Sequence, residues 1–518
     1  MLTICLACCF FNKILHLQFN LEPHFIFEFK QIKAFIIAEA VFFFVFSMDN
    51  TRIKTKIICT IGPETASFEM IQRMAGAGMN IVRLNMSHGD QDWHFRVIKH
   101  IKTLNRKVKF PIAILLDTQG PEIRTGHLSS NLDLKKGSVI SIMIRGASEV
   151  EETSIHIDYD DLISSVHAGD KITVDNGLIN LEVLEKQERI MRCRVLDGGV
   201  LKSKSHVNLP GVRVNLPAIT QKDRRDILFG IKHDVDFIAL SFVREPADVL
   251  QLKELLGDKV GKIKIIAKIE DQEGVTNIEK IISEADGIMV ARGDLGIEIP
   301  IHSVPTVQRK IVRSCSEQGK RVIIATHLLE SMIKNPLPTR AEVTDVANAI
   351  YEEVDAVMLS GETTVGKYPL RCIDQLVNIA QNVENQPGLR FVDNLNTDND
   401  KQKFSLAAVD LAQSLGARCI VVITRRGIMA EMVCNCRPVY SDIYAFTNVS
   451  QARRTMMLGR GIRSFRISFS QDPEKTLQNA FKVLKEREGF QAGEKVVVIS
   501  DVLAGSGKID AIQIRHLP

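Results

Sequence analysis

The chain has 518 residues, room for two to four domains at about 100–200 residues each. Its 45% apolar and 25% charged residues are those of a globular protein that can build a large core. A net charge of +4 with no dense basic tract gives no ground for nucleic-acid binding. Ten cysteines are scattered, and Cys434 and Cys436 have no second pair or His cluster beside them, so reduced thiols are expected and a zinc site is not.

Residues 1–47 differ from the rest, with eleven of the 24 phenylalanines and three of the ten cysteines. Their most apolar run, Ala34 to Phe46, contains Glu39 and is shorter than the about 20 residues a membrane helix needs. The segment has no Arg, one Ser and acids at Glu22, Glu28 and Glu39, unlike a secretory signal or a transit peptide. The expectation is that translation begins at Met48; a membrane or targeting role is the alternative.

From Lys54 onward short apolar runs alternate with helix-like stretches. Candidate strands are Thr55–Thr60, Asn80–Asn85, Ile112–Asp117, Asp236–Ser241, Lys264–Glu270, Gly287–Arg292, Arg321–Thr326 and Asp355–Ser360. Continuous Ile/Val/Leu runs are the mark of parallel strands buried on both faces. Between them lie helices; one, with Val343, Val346, Ala347 and Ile350 at helical spacing, starts after Pro338-Thr339. Eight such units predict a closed (β/α)8 barrel, the TIM barrel. The interval from Asp117 to Asp236 is too long for one crossover. Its runs Ser138–Ile144, Lys171–Val174 and Arg189–Val195, with turns at Asn176-Gly177 and Gly198-Gly199, predict an inserted small β domain. After about Pro387, strands at Arg418–Thr424, Val439–Phe446, Ser464–Ile467 and Lys495–Ser500 predict a C-terminal α/β domain. The expected division is a barrel at 48–121 and 217–386, an insert at 122–216 and a C-terminal domain at 387–518.

In a barrel of this class the active site lies at the C-terminal strand ends. Here those ends carry Arg83, Asn85, Ser87 and His88; Asp117, Thr118, Gln119, Glu122 and Arg124; Lys268 and Glu270; Arg292, Gly293 and Asp294; Thr326; and Ser360 and Glu362. Residues two apart on a strand share a side, so Arg83, Asn85 and Ser87 point together, as do Lys268 and Glu270. Ser360 and Glu362 do so only if extended backbone continues past Ser360. Any one pair is ordinarily a salt bridge or a strand cap. Six coincident ends are not, because burying so much charge is costly unless it is paired or metal-bound. Glu270 and Asp294 are hard oxygen ligands fit for Mg²⁺ or Mn²⁺. Lys268 beside them can neutralise phosphoryl charge, and Arg83 and Arg124 can fork onto phosphate. Asn85, Ser87, Asp117 and the Thr118 carbonyl suit a monovalent cation. Together these groups fit phosphoryl transfer. Ala504-Gly505-Ser506-Gly507-Lys508-Ile509 is a poor P-loop, with Val502 in place of the first Gly and Ile509 in place of Ser/Thr, and reads as a glycine-rich turn.

Seven strings, in order from Thr55 to about Pro369, resemble those of pyruvate kinases: Thr55–Pro63, Ala77–Gly89, Leu115–Gly126, Val207–Gly211, Asp286–Gly296, Pro338–Asn348 and Met358–Glu362. The resemblance implies transfer of the phosphoryl group of phosphoenolpyruvate to ADP, a lid-like inserted β-barrel, a C-terminal domain with effector sites, a homotetramer and a cytoplasmic setting. It implies that Lys268 stabilises the phosphoryl group in flight, that Glu270 and Asp294 hold Mg²⁺, and that Gly293 and Asp294 amides with Thr326 hold the substrate carboxylate. Arg83 and Arg124 would meet phosphate and nucleotide with Asn85 and His88 nearby, and Asn85, Ser87, Asp117 and Thr118 would bind K⁺. Ser360 and Glu362, with Thr326, would support proton delivery.

Several positions depart from the family pattern. Gln119 replaces a usual Lys, while Glu122 keeps the acid of potassium-dependent members, so K⁺ dependence is expected. His327 replaces a common Gln, and Ser205 one of two paired lysines, leaving Lys204. The loop Thr424-Arg425-Arg426 lacks most of the hydroxyls that members activated by fructose 1,6-bisphosphate carry; a phosphorylated effector and a solvated basic turn are both open there. Rival readings are another barrel enzyme of phosphoenolpyruvate or pyruvate chemistry and a catalytically reduced metabolite sensor. No membrane or nucleic-acid partner is expected.

Overall fold

The computed structural model describes residues 53–144, 154–504 and 507–518. The expected start at Met48, the segment before it, and Gly505-Ser506 lie outside these. Strands β1 (Lys56–Thr60), β2 (Ile81–Asn85) and β3 (Ala113–Asp117) precede the insert. The insert holds β4 (Ile123–Arg124), β5 (Leu132–Leu134), β6 (Val139–Met143), β7 (Ser154–His156), β8 (Lys171–Val174), β9 (Ile179–Lys186), β10 (Ile190–Asp197), β11 (Gly199–Leu201) and β12 (His206–Asn208). Then come β13 (Phe237–Leu240), β14 (Lys264–Ile269), β15 (Gly287–Ala291), β16 (Arg321–Ala325) and β17 (Ala356–Leu359). The C-terminal region adds β18 (Cys419–Ile423), β19 (Asp442–Thr447), β20 (Ile462–Arg466), β21 (Lys495–Ala504) and β22 (Gly507–His516).

The eight predicted strands close in parallel as β1-β2-β3-β13-β14-β15-β16-β17, and β17 returns to β1 through Lys56↔Ala356. Side chains alternate between two apolar layers, as the strand period requires. Ile58, Ile81, Leu115, Phe237, Ile266, Met289, Ile323 and Met358 fill the interior, whereas Ile57, Cys59, Val82 and Leu84 pack outward against helices. The helix Arg340–Tyr351 begins where expected, with Thr339 and Glu342 forming a reciprocal cap. The insert is a seven-stranded sheet, β4-β12-β8-β9-β10-β6-β7, with β5 paired to β11. A bridge between Thr125 and Ile157 joins its two edges, so the sheet closes on itself. Asp175, Asn176 and Gly177 all have positive φ at the predicted Asn-Gly turn. In the C-terminal sheet, β20-β19-β18-β21 are parallel and β22 runs antiparallel to β21. β21 ends at Ala504 and β22 begins at Gly507, and these two residues are paired. Among the described residues no helix is long and apolar enough to cross a membrane.

At the N-terminal end of the barrel one contact recurs every second strand. The residue preceding β2, β13, β15 and β17 is Asn80, Asp236, Asp286 and Asp355. Each side chain accepts the backbone N–H of the strand before it: Ile57 to Asn80 at 2.9 Å, Ile114 to Asp236 at 2.9 Å, Ile265 to Asp286 at 2.9 Å and Val322 to Asp355 at 3.0 Å. The C-terminal domain answers this polar rim. Arg454 donates to Asp236 at 2.8 Å, and Arg437 reaches Asp355 at 2.6 and 2.7 Å. Lys264 bridges Asp286 and Glu431, each at 3.3 Å. Met457 and Leu458 stopper the barrel interior beneath.

Asp355 is fully buried and also receives Arg321 at 3.0 Å. Burial opposes its charge, yet Arg437 and then Arg321 hold its carboxyl well below the usual carboxylate range. Removing one partner of such a pair leaves uncompensated buried charge, at about 3–5 kcal/mol. Asp355→Asn is expected to lower the thermal unfolding midpoint by several degrees at pH 7. A depressed carboxyl stabilises fully above its unfolded value, about 3.9, and loses that contribution as pH falls toward its folded one. The midpoint difference between parent and variant should therefore be flat from pH 8 to 5 and shrink below pH 4; a difference that grows on acidification would contradict the pairing.

Candidate active site

The C-terminal ends of neighbouring barrel strands converge on one buried ammonium. Lys268, near the end of β14, is 8% exposed. Its Nζ lies 3.0 Å from Glu270 Oε1 and 3.1 Å from Asp117 Oδ1, and donates to Ser241 Oγ at 2.7 Å. Arg83, from β2, donates through Nε to the other Asp117 oxygen at 2.6 Å and through Nη1 to Thr60 Oγ1 at 3.0 Å. Burial alone would lower the Lys268 pKa; Asp117 and Glu270 outweigh it and hold the ammonium above its ordinary range. Asp117, fully buried, is in turn kept below the usual carboxylate range, Lys268 and Arg83 overcoming its burial.

Glu270 follows β14 directly. Its Oε2 accepts the Phe242 N–H at 2.7 Å, and Phe242 is held at φ 51° to present it. Burial pushes the Glu270 carboxyl upward; Lys268 opposes the push, while the Asp294 and Asp117 carboxylates add to it. Two cations thus face three carboxylates, and the surplus negative charge fits a divalent cation. Among the described residues no three His, Cys, Asp or Glu side chains group closely enough to hold a metal alone. Two carboxylates leave positions for water and substrate oxygens, the ordinary pattern for Mg²⁺. For a monovalent cation, the relevant observation is that Asp117 Oδ1 is buried and lacks a hydrogen bond of good geometry, Lys268 approaching it only at ion-pair distance. Asn85 Oδ1 accepts the Ser87 N–H at 3.1 Å, and Thr118 O accepts the Ser241 hydroxyl at 2.8 Å. His88 is exposed on the same loop.

Gly293 and Asp294 open the short helix Arg292–Glu298 that follows β15. The Gly293 N–H donates to Thr326 Oγ1 at 2.7 Å, and Arg292 donates to the Thr326 carbonyl at 2.8 Å. A side chain at 293 would press on Thr326 Oγ1 at 3.3 Å, which accounts for the glycine. Thr326 and His327 both have left-handed backbone, φ 68° and 54°. For a β-branched residue that is strain of about 1–3 kcal/mol.

Other residues expected at the site sit differently. Backbone does not stay extended past Ser360: a helical turn, Gly361–Thr364, begins there. Glu362 therefore folds back, accepting N–H bonds from Ser360 at 2.8 Å and Leu329 at 3.0 Å, and the two side chains do not point together as a strand pair would. Ser360 Oγ is buried without a partner. Glu122 accepts from Gln119 at 3.0 Å and from Arg124 at 2.7 Å, so the departure at 119, the retained acid at 122 and the predicted nucleotide arginine form one cluster. Arg124 also donates to the Lys204 carbonyl at 2.8 Å. Ser205 turns inward: its hydroxyl donates to Lys202 O, and its N–H donates to Thr125 Oγ1. In the C-terminal sheet, Thr424 Oγ1 accepts the Gly427 N–H, Arg425 lies over Phe469, and Arg426 is exposed. The structure adds Thr60, Ser241 and the Phe242 amide to the site. Thr60 and Ser241 end or follow the first and fourth strand runs, the same signal that marks the other six ends.

Fold, site and sequence matches define a (β/α)8-barrel phosphotransferase. Residues 52–373 match the pyruvate kinase barrel domain and 402–515 the pyruvate kinase alpha/beta domain. The chain is 43% identical over 477 residues to a pyruvate kinase of Staphylococcus saprophyticus, covering 90% of this chain and 80% of that one. It is 42% identical over 457 residues to the chloroplastic pyruvate kinase isozyme G of Nicotiana tabacum, covering 87% and 80%. A crystal structure of a pyruvate kinase from Cryptosporidium parvum superposes with a TM-score of 0.86 at 34% identity, over 91% of this chain and 97% of that one. The chain belongs to the pyruvate kinase family.

Thr326→Gly removes the strained backbone and the hydroxyl together. The expected result is an unfolding temperature within about 2 °C of the parent or above it, with phosphoryl transfer lowered about 100-fold, the scale of one lost transition-state contact. Thermal scans beside steady-state assays check this; a matched fall in both would make the hydroxyl structural.

Proposed function

We propose that this mouth carries out phosphoryl transfer from phosphoenolpyruvate to ADP, with the roles divided as follows. The Gly293 and Asp294 amides and the Thr326 hydroxyl hold the substrate carboxylate. Arg83 and Lys268 hold the phosphoryl group, and Lys268 stays against it as it moves toward the nucleotide, which Arg124, Asn85 and His88 receive. When bound, Mg²⁺ at Glu270 and Asp294 and K⁺ at Asn85, Ser87, Asp117 and Thr118 supply positive field to the phosphate oxygens. The loss of the phosphoryl group leaves an enolate that takes a proton; Thr326, the unpartnered Ser360 hydroxyl and Glu362 line the route we assign to it. The insert at 122–216 acts as a lid on the barrel, with the C-terminal domain at 387–518 beneath. Assembly as a homotetramer and a cytoplasmic setting are supported by the family resemblance alone.

The observation that carries this reading is the Lys268 ammonium, shared between two carboxylates and kept charged despite its burial. Its placement supports a role in stabilising transferred charge rather than in accepting a proton. Lys268→Met should lower ATP formation by several orders of magnitude, because each 1.4 kcal/mol of lost stabilisation is about tenfold. Solvent hydrogen exchange into added pyruvate, which needs no phosphoryl transfer, should fall far less. Equal loss of both half-reactions would remove Lys268 from the role given to it. For the monovalent ion, activity is expected to be high in K⁺ and low in Na⁺ or tetramethylammonium. Glu122→Lys, which brings its own ammonium, should weaken that dependence; full parent activity without K⁺ would overturn the assignment.

A further inference from the structure

The helix Arg292–Glu298 is held at its two ends by different parts of the molecule. Its first turn is tied to the barrel through Thr326 and through the Arg292–Asp345 pair at 2.7 Å. Its last residue is tied to the insert. Asn208, in β12, donates from Nδ2 to Glu298 Oε1 at 2.8 Å. The β8–β9 turn reaches the same helix, with Gly177 beside Ile297.

The Asn208 bond is the one local interaction that favours a carboxylate at 298. Among the described residues it has no cationic partner, and Asn208 supplies its one side-chain hydrogen bond. Burial pushes its carboxyl up to about 7; the Asn208 bond opposes this, and the Asp271 and Asp294 carboxylates add to it. A partly buried acid with this little compensation costs stability. Asn208 is itself 4% exposed, and its Oδ1 is buried without a partner. The contact is therefore not an incidental surface bond. It lines a cleft of about 390 Å³ between insert and barrel, walled also by His206, Phe242 and Asp271.

β12 carries a second connection. It pairs with β4 through His206↔Arg124 and Val207↔Ile123. The strand that reaches Glu298 is thus hydrogen-bonded to the strand that carries Arg124. We propose that Glu298 is a positioning residue: through Asn208, the insert sets the helix that presents the Gly293 amide and the Asp294 carboxylate, so that capture of nucleotide at Arg124 and capture of substrate at Asp294 are mechanically linked through β12. The inference rests on the site roles given above for Gly293, Asp294 and Arg124.

The test compares Asn208→Ala, Glu298→Ala, the double variant and Glu298→Gln in the full-length enzyme. The readouts are KM for phosphoenolpyruvate, KM for ADP, kcat and the thermal midpoint. Each alanine variant should raise KM for phosphoenolpyruvate about tenfold, a modest share of what a misplaced site costs, and should lower kcat less. The double variant should be no worse than either single one, because both break the same contact. Glu298→Gln keeps the acceptor for Asn208 and should restore KM to within about twofold of the parent. Additive losses, losses that follow the thermal midpoint, or failure of Gln to restore KM would each overturn the coupling. Asp294→Asn separates this from the underlying assignment. If it raises KM while the latch variants are silent, only the coupling fails; if it too is silent, the site assignment fails.

Discussion

A lysine ammonium and an arginine guanidinium cannot sit at the bottom of a protein cleft unless carboxylates sit there with them. That constraint organises the mouth of this barrel. Asp117 serves both cations, one with each oxygen, and Glu270 takes the remaining share of Lys268. The four side chains come from β2, β3 and β14 and from the residue after β14, with Thr60 and Ser241 closing the ring from β1 and the end of β13. No local segment contains more than two of them, so the arrangement exists only when the barrel is closed. The set is nevertheless unbalanced, because Asp294 adds a third carboxylate. A surplus of negative charge at that point is poised to accept a cation, and the same carboxylates keep Lys268 protonated.

The opposite end of the barrel solves a similar problem differently. There the carboxylates Asp236 and Asp355 meet arginines from the C-terminal domain, and Asp286 shares Lys264 with Glu431. The polar rim is consumed by docking rather than left open for chemistry. A cavity of about 430 Å³ does lie in this junction, but none of the residues predicted for the site lines it. The two ends of one closed sheet thus carry the same chemical vocabulary and use it for opposite purposes, exposure at one and adhesion at the other.

How much of this the sequence discloses depends on whether a feature is local. The eight barrel strands are legible because burial on both faces demands unbroken apolar runs, and each is found within about one residue of its predicted ends. Position at a strand end then points to Arg83, Asp117, Lys268, Glu270 and Asp294 without any knowledge of which strands touch. The pairings are not legible in this way: that Asp117 forms ion pairs with both Arg83 and Lys268 depends on β2, β3, β13 and β14 lying side by side. Ser360 and Glu362 escape the strand rule for a local reason, since the two-residue period holds only while the backbone stays extended and a helical turn starts at Gly361. The short insert strands β4, β5, β7, β11 and β12, together with β9 and β22, are absent from the strands expected of the sequence, although β9, Ile179–Lys186, begins with clean alternation of buried and half-buried residues, the usual mark of a strand with one wet face. Glu298 carries no signal in the sequence; its meaning comes from Asn208, ninety residues earlier in the chain.

The side chains that clasp β1 to β2, β3 to β13, β14 to β15 and β16 to β17 divide the closed sheet into four two-strand modules. One of those modules is β3 with β13, between which the chain leaves to build an entire separate sheet and then returns. The bond from the Ile114 N–H to Asp236 sits at the far end of that pair from the point of departure. It fastens the two strands in register at the rim opposite the insertion, and the entropy of closing so long a loop grows only slowly with its length. A barrel stitched in this manner can host a foreign domain at one rim without slippage of its staves, which makes that rim a natural place for whole folding units to be grafted, lengthened or exchanged.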